Sequence, residues 1–206
     1  MIMSTFIIGH STPLPGRASQ LETRMRTLIG VMAQRGARST RFMRNIMGEG
    51  AGSFSLVAEF EDFQKLMSSY EKFRKDPLFL DVSQQVSDNP AGQNRGPFVL
   101  RDIYGQTDLS SPVHAVRSYR MSRKNLPQMI EIVKEIDHLS EGYKLTAVLP
   151  VYAPEMDMIH GVYHFDSLTD AGKIIDEVGT SAEFQELVLK ANEMGTLIRS
   201  GLNIKM

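Results

Sequence analysis

A pattern that occurs twice, 105 residues apart, constrains this chain more than any other feature. Val57-Ala58-Glu59-Phe60 lines up with Val162-Tyr163-His164-Phe165. At the same offset Phe79 meets Phe184 and Asp76 meets Ser181. One matching tetrapeptide would carry little weight. Here a strand-like stretch, the helix after it and a break within that helix all recur in one register.

The elements around this pattern follow from periodicity. In the first half, residues 5–11 read as a strand ended by the proline-rich stretch Thr12–Gly16. Leu21, Met25, Leu28, Ile29 and Met32 form a helical stripe that stops at Gly36. Residues 38–46 read as a strand and Gly48–Gly52 as a hairpin. In the strand 54–60, Phe54, Leu56, Ala58 and Phe60 alternate with Ser55, Val57 and Glu59. The helix that follows breaks and restarts at Asp76-Pro77, a cap followed by a first-turn proline. Asp88–Pro97 reads as a loop and Phe98–Tyr104 as a strand. The second half repeats this order. Strands are expected at 113–121, 144–152, 158–165 and about 197–204, with a helix broken near Gly179-Thr180-Ser181. Thr180 and Glu183 have the spacing of a capping box there.

Strand, helix, strand, strand, helix, strand makes a four-stranded antiparallel sheet with both helices on one face. The other face is left bare, and a bare apolar sheet face needs cover. A second unit supplies it. The expected fold is therefore α+β: two ferredoxin-like βαββαβ repeats, residues 1–108 and 109–206, closing a fused antiparallel α+β barrel with the helices outside.

In element order, and in the pattern after its third strand, the chain resembles the dimeric α+β barrel superfamily. That group includes the antibiotic-biosynthesis monooxygenases, EthD-like proteins and the NIPSNAP family, and the resemblance is to a form with both barrel halves in one chain. It covers nearly all of the sequence and implies a fold, not a function. Such proteins include cofactor-free oxygenases, isomerases, haem enzymes and proteins without known activity.

Composition removes several chemistries. The chain has no cysteine, so disulfides, thiolate ligands and a cysteine nucleophile are excluded. It has no tryptophan, which some monooxygenases of the resembled superfamily carry in the pocket. The net charge of −1 creates no field for nucleic acid or anionic membrane. The apolar run at Met1–Gly9 has no basic lead-in and no cleavage site, and reads as a strand rather than a signal peptide. No apolar run approaches the ~18 residues of a membrane span. A cytoplasmic location is expected. No phosphate loop, dinucleotide fingerprint, HExxH or GxSxG occurs.

A site would lie inside the barrel. If the apolar set of the strand 54–60 meets the helices, then Ser55, Val57 and Glu59 look inward, and the repeat places Met158, His160, Val162 and His164 likewise. His164 is a candidate general base and Glu59 a candidate partner that orients it. His10, His160, Arg117 and Tyr119 are candidate ligand-binding residues. His160 and His164 cannot share a metal, because four strand residues span roughly 13 Å. No metal site and no cofactor is expected, since no second-half histidine sits in a haem motif. His114 and His138 read as packing or surface residues. Residues 17–44 hold seven arginines against one acid, Glu22. This cluster reads as a solvated face paired with the acids at 59–81, or as a site for a carboxylate or phosphate. It lacks the interleaved aromatics of a nucleic-acid surface.

Two functions fit. One is a small hydrophobic or anionic ligand bound in the barrel, with the chemistry of a cofactor-free oxygenase or isomerase. The other is a non-catalytic binding or assembly protein with a filled barrel. Self-association into a homo-oligomer fits either.

Overall fold

The computed structural model describes residues 3–206. The first half contains β1 (Thr5–Pro13), α1 (Ala18–Gln34), β2 (Ser39–Gly48), β3 (Phe54–Phe60), α2 (Phe63–Phe73), α3 (Pro77–Asp88) and β4 (Gly92–Tyr104). The second half contains β5 (Val113–Met121), α4 (Leu126–Asp137), β6 (Lys144–Tyr152), β7 (Met158–Phe165), α5 (Leu168–Glu177), α6 (Ala182–Met194) and β8 (Gly195–Lys205). Within each half the strands run in the order β4-β1-β3-β2 and β6-β7-β5-β8, and antiparallel β2–β8 and β4–β6 pairs join the halves into one closed barrel.

The helix signals recur at the offset of the sequence repeat. Asp62 caps α2 by accepting from the Lys65 amide at 2.7 Å, and Ser167 caps α5 by accepting from Asp170 at 3.0 Å. Asp76 caps α3 through Leu78 at 2.9 Å, and Ser181 caps α6 through Phe184 at 3.2 Å. The second pair corrects the expectation for Thr180. Its hydroxyl instead bonds back to the Asp176 carbonyl at 2.6 Å, which leaves the cap to Ser181.

The alternation on β3 does what its pattern implies. Phe54, Leu56, Ala58 and Phe60 bury against the helices with Leu21, Met25, Met32, Leu66 and Phe73. A matching core lies under α4–α6, built on Met129, Val133, Ile136, Leu145, Phe165 and Phe184. Burying side chains of this kind contributes about 1.5–3 kcal/mol each. A third, smaller cluster lies inside the barrel: Phe6, Val57, Val148 and Leu109. Leu109 belongs to none of the strands. It sits on the connection between the halves, residues 105–112, and plugs one end of the barrel.

The stretch Asp88–Pro97 is not the loop its Asn, Gly and Pro content suggests. Helix α3 extends to Asp88 and β4 already begins at Gly92. Pairing to β1, from Pro13↔Gly92 to His10↔Arg95, supplies the hydrogen bonds that override local composition. Pro97 is accommodated because the register shifts between Ile8 and His10, a bulge at which a missing N–H does no harm.

The arginine cluster is mostly structural. Arg35 pairs with Asp76, and its guanidinium holds that carboxyl below the usual carboxylate range. Arg26 pairs with Glu22 and lies over Phe42. Arg24 bonds the Asn89 carbonyl at 2.8 Å, and Arg44 lies over Phe54. Arg41 is buried within the barrel. These partners come from across the first half rather than from the acids at 59–81 alone.

If the connection acts as a plug, Leu109→Ala should cost about 2–5 kcal/mol in chemical denaturation. A loss below about 1 kcal/mol would mean that the barrel end is closed by something else.

Candidate functional site

The barrel interior is open at the end away from Leu109 and holds a cavity of about 320 Å³. This excludes the filled-barrel form of the assembly function. The deep part of the cavity is apolar, lined by Phe6, Ile8, Val57, Leu100, Val148 and Leu109. Its mouth is polar and is built from two matching rows of side chains.

In the first half, Ser55 on β3, His10 on β1 and Arg95 on β4 are register partners across neighbouring strands. In the second half, His160 on β7, Ser118 on β5 and Arg199 on β8 are partners in the same way. Ser55 and His160 are related by the sequence offset, so His10 corresponds to Ser118 and Arg95 to Arg199. Each half thus places one serine, one histidine and one arginine at the same level of the barrel, on opposite walls. The serine and histidine have exchanged strands.

The hydrogen bond within each row survives the exchange. His10 Nδ1 lies 2.7 Å from Ser55 Oγ, and His160 Nδ1 lies 2.8 Å from Ser118 Oγ. With Nδ1 engaged, Nε2 of each ring is left for the cavity. Both rings are held neutral, with pKa values lowered to about 4. The main cause is removal from bulk water. Arg95 and Arg199 add to it for His10, and Arg199 and His10 for His160. His10 is nonetheless exposed by its accessible surface, so the loss of hydration that lowers it comes from protein packed around the ring and not from complete exclusion of water. The serines are largely covered, 7% and 2% exposed for Ser55 and Ser118.

At the closed end most of the polar groups bond to one another, while His164 Nδ1 and Arg41 Nε are buried without a partner among the described residues. Asp102 accepts from Thr107 Oγ1 at 2.6 Å, Thr107 Oγ1 lies 3.2 Å from Thr146 Oγ1, and Thr146 Oγ1 lies 2.9 Å from His164 Nε2. Burial raises Asp102 to about 6. His164 packs edge-on to His114 with ring centroids 4.7 Å apart. His114 donates through Nε2 to the Asp108 carbonyl at 3.1 Å, which ties the plug to β5 and fixes the tautomer.

The candidates from sequence therefore separate. His10 and His160 line the cavity together. His164 is buried in the closed-end network rather than on the cavity wall. Glu59 is also buried, accepts from Ser4 Oγ at 2.7 Å and lies 3.9 Å from Arg38, so it makes no contact with His164. Arg117 and Tyr119 do not line the mouth. Arg117 lies over the Tyr163 and Phe184 rings and Tyr119 packs on the helix-side core. The strand phase explains this correction: Val113 and Ala115 face the helices, so Arg117 and Tyr119 must follow them. The opposite set, His114, Val116 and Ser118, faces the cavity, and His114 is thus a cavity residue that packing alone did not suggest. Among the described residues no three metal-ligating side chains cluster, and no helix is long and apolar enough to cross a membrane.

No family model matches the chain, and no curated protein matches it. Solved structures do. An anthrone oxidase-like protein aligns at TM-score 0.66 and 8% identity over 100% of this chain and 92% of its own. A proposed monooxygenase of Fusobacterium nucleatum aligns at TM-score 0.65 and 8% identity over 99% and 93%. A ferredoxin-fold protein of Listeria monocytogenes, related to antibiotic biosynthesis monooxygenases, aligns at TM-score 0.53 and 11% identity over 100% and 96%.

The neutral buried histidines generate a prediction. His114 sits at about 4 and His164 at about 3, against roughly 6.5 when unfolded. Their stabilisation is complete above pH ~6.5 and is lost as pH falls toward 4, where the unfolded chain takes up the protons first. Each contributes on the order of 2 kcal/mol to that loss. Asp102, raised to about 6, acts in the opposite sense, since its stabilisation is lost as pH rises through 6. Thermal melts should therefore fall from pH 7 to pH 4.5, and His164→Gln should flatten that fall. An equally steep fall in the variant would rule His164 out as a cause.

At these identities the likeness is one of fold: the chain forms a fused, two-repeat ferredoxin-like α+β barrel.

Proposed function

We propose that the barrel binds a small amphipathic molecule through its open end and transfers a proton on it, as a cofactor-free oxygenase or isomerase. The observation that carries this proposal is the pair of neutral imidazoles, His10 and His160, facing one apolar cavity from opposite walls. A base must be unprotonated to act, and these two are so at neutral pH. Nε2 of one ring accepts a proton from an acidic C–H or O–H of the ligand. Arg95, at the mouth, stabilises the anion left behind. Return of the proton at a neighbouring carbon completes an isomerisation. Addition of dioxygen to the carbanion begins an oxygenation. Imidazoles with pKa near 4 are weak bases, so the chemistry selects ligands that are already acidic, such as phenols and 1,3-dicarbonyl compounds. The names of the similar structures, an anthrone oxidase-like protein and a proposed monooxygenase, support the oxygenase branch.

The test is a thermal-shift screen of phenols and 1,3-dicarbonyl compounds, followed by mass-spectrometric measurement of deuterium uptake from D₂O into any binder. His160→Ala combined with His10→Ala should reduce exchange by about 10²–10⁴-fold while binding persists. Exchange should stay flat above pH ~5 and fall as the imidazoles protonate near 4. Binding without exchange in the wild type would instead favour a non-catalytic carrier.

A further inference from the structure

The two mouth arginines occupy corresponding positions, yet their surroundings differ. Arg199 donates to Glu155 Oε2 at 2.8 Å, and Glu155 also lies 3.6 Å from Arg120. The cation of the second half is thus already neutralised by the β6–β7 hairpin. The mouth holds one other carboxylate, Glu49, on the β2–β3 hairpin. Its amide bonds the Ser200 carbonyl at 3.2 Å, so it too sits on the Arg199 side. Arg95 stands on β4, at the position opposite Arg199 in the strand order. Among the described residues it takes part in no ion pair.

Arg95 is also aimed inward by a specific device. On β4, Phe98 and Leu100 face the cavity opposite Ile8 and Phe6. Strict alternation would turn Arg95 outward. The register shift opposite Gly9 adds a residue and reverses the phase, and Gly96 carries that shift at φ +102, a conformation that other residues rarely adopt. A Cβ there would also come within 2.8 Å of the Ile8 carbonyl. The bulge brings a guanidinium to the mouth beside His10, its register partner, where no carboxylate of the protein meets it.

We infer that the ligand carries an anionic head group, a carboxylate or phosphate, which Arg95 receives beside His10, while its apolar body extends toward Leu109. This rests on the reading that the barrel binds a small molecule. It adds the head-group chemistry and the orientation, and it leaves His160 on the opposite wall as the proton acceptor. A guanidinium meets either anion through paired N–H donors.

The test is calorimetric titration of the full chain with decanoate, decyl phosphate and decanol, which share an apolar body and differ in head group. The wild type should bind at least one anion about tenfold or more tighter than decanol. The tighter of the two anions identifies the head group. Arg95→Gln should abolish that preference and leave decanol binding unchanged. Adding Glu155→Gln to Arg95→Gln releases Arg199 and should restore part of it. Decanol bound as well as both anions by the wild type would overturn the head-group assignment and leave barrel binding standing. An undiminished preference in Arg95→Gln would overturn the role of Arg95. Failure of all three to bind would overturn the barrel-binding reading itself.

Discussion

The structure depends on one closure. A four-stranded sheet with helices on one face leaves its other face and both edges without partners, which invites association with other chains. Here the β2–β8 and β4–β6 pairs remove all four edges at once and turn both bare faces inward. Everything at the site follows from that closure. Residues whose side chains would face solvent in a lone repeat become the lining of a concave, partly dry chamber. Imidazoles that would titrate near neutrality in water are held neutral there.

How much of this was legible depended on whether local pattern and tertiary pairing agreed. On β3 they agree: Phe54, Leu56, Ala58 and Phe60 mark the helix side so plainly that the inward face could be read by subtraction. On β5 the pattern is ambiguous, because Val113, Ala115, Arg117 and Tyr119 alternate with His114, Val116, Ser118 and Arg120, and neither set is cleanly apolar. A charged residue looked like a mouth residue. In fact the Arg117 stem and guanidinium cover aromatic rings, as long cationic side chains do. Arg95 was hidden for a different reason. Its orientation depends on a bulge, and a bulge is set by the pairing of two strands rather than by the sequence of one. The exchange of serine and histidine between corresponding strands was hidden as well, since a search for like residues at like positions passes over a pair that has swapped places.

That exchange says something about what duplication within a single chain permits. Two identical subunits would present two identical rows and a symmetric mouth. One chain with two copies can keep the geometry of the row and change its chemistry on each side. Here both rows retain a histidine bonded to a serine at nearly the same distance, 2.7 and 2.8 Å, so the neutral ring with a free Nε2 was kept. What differs is the charge around the arginines. One wall has a cation compensated by Glu155, and the other has a cation with none.

The same asymmetry runs along the barrel axis. The closed end gathers Glu59, Asp102 and His164, whose hydrogen bonds run to protein groups, and His114, which also touches the cavity floor. An apolar belt from Phe6 to Val148 separates them from the mouth. The closed end also holds the buried Arg41, but an anionic group carried past that belt would lose its hydration beside Glu59 and Asp102, a penalty of several kcal/mol. An apolar body left at the mouth would forgo about 25 cal/mol for each Å² it could have buried. The two penalties act in the same direction, so together they set which end of an amphipathic molecule enters first, and they hold the atoms next to its anionic head group at the level of the imidazoles.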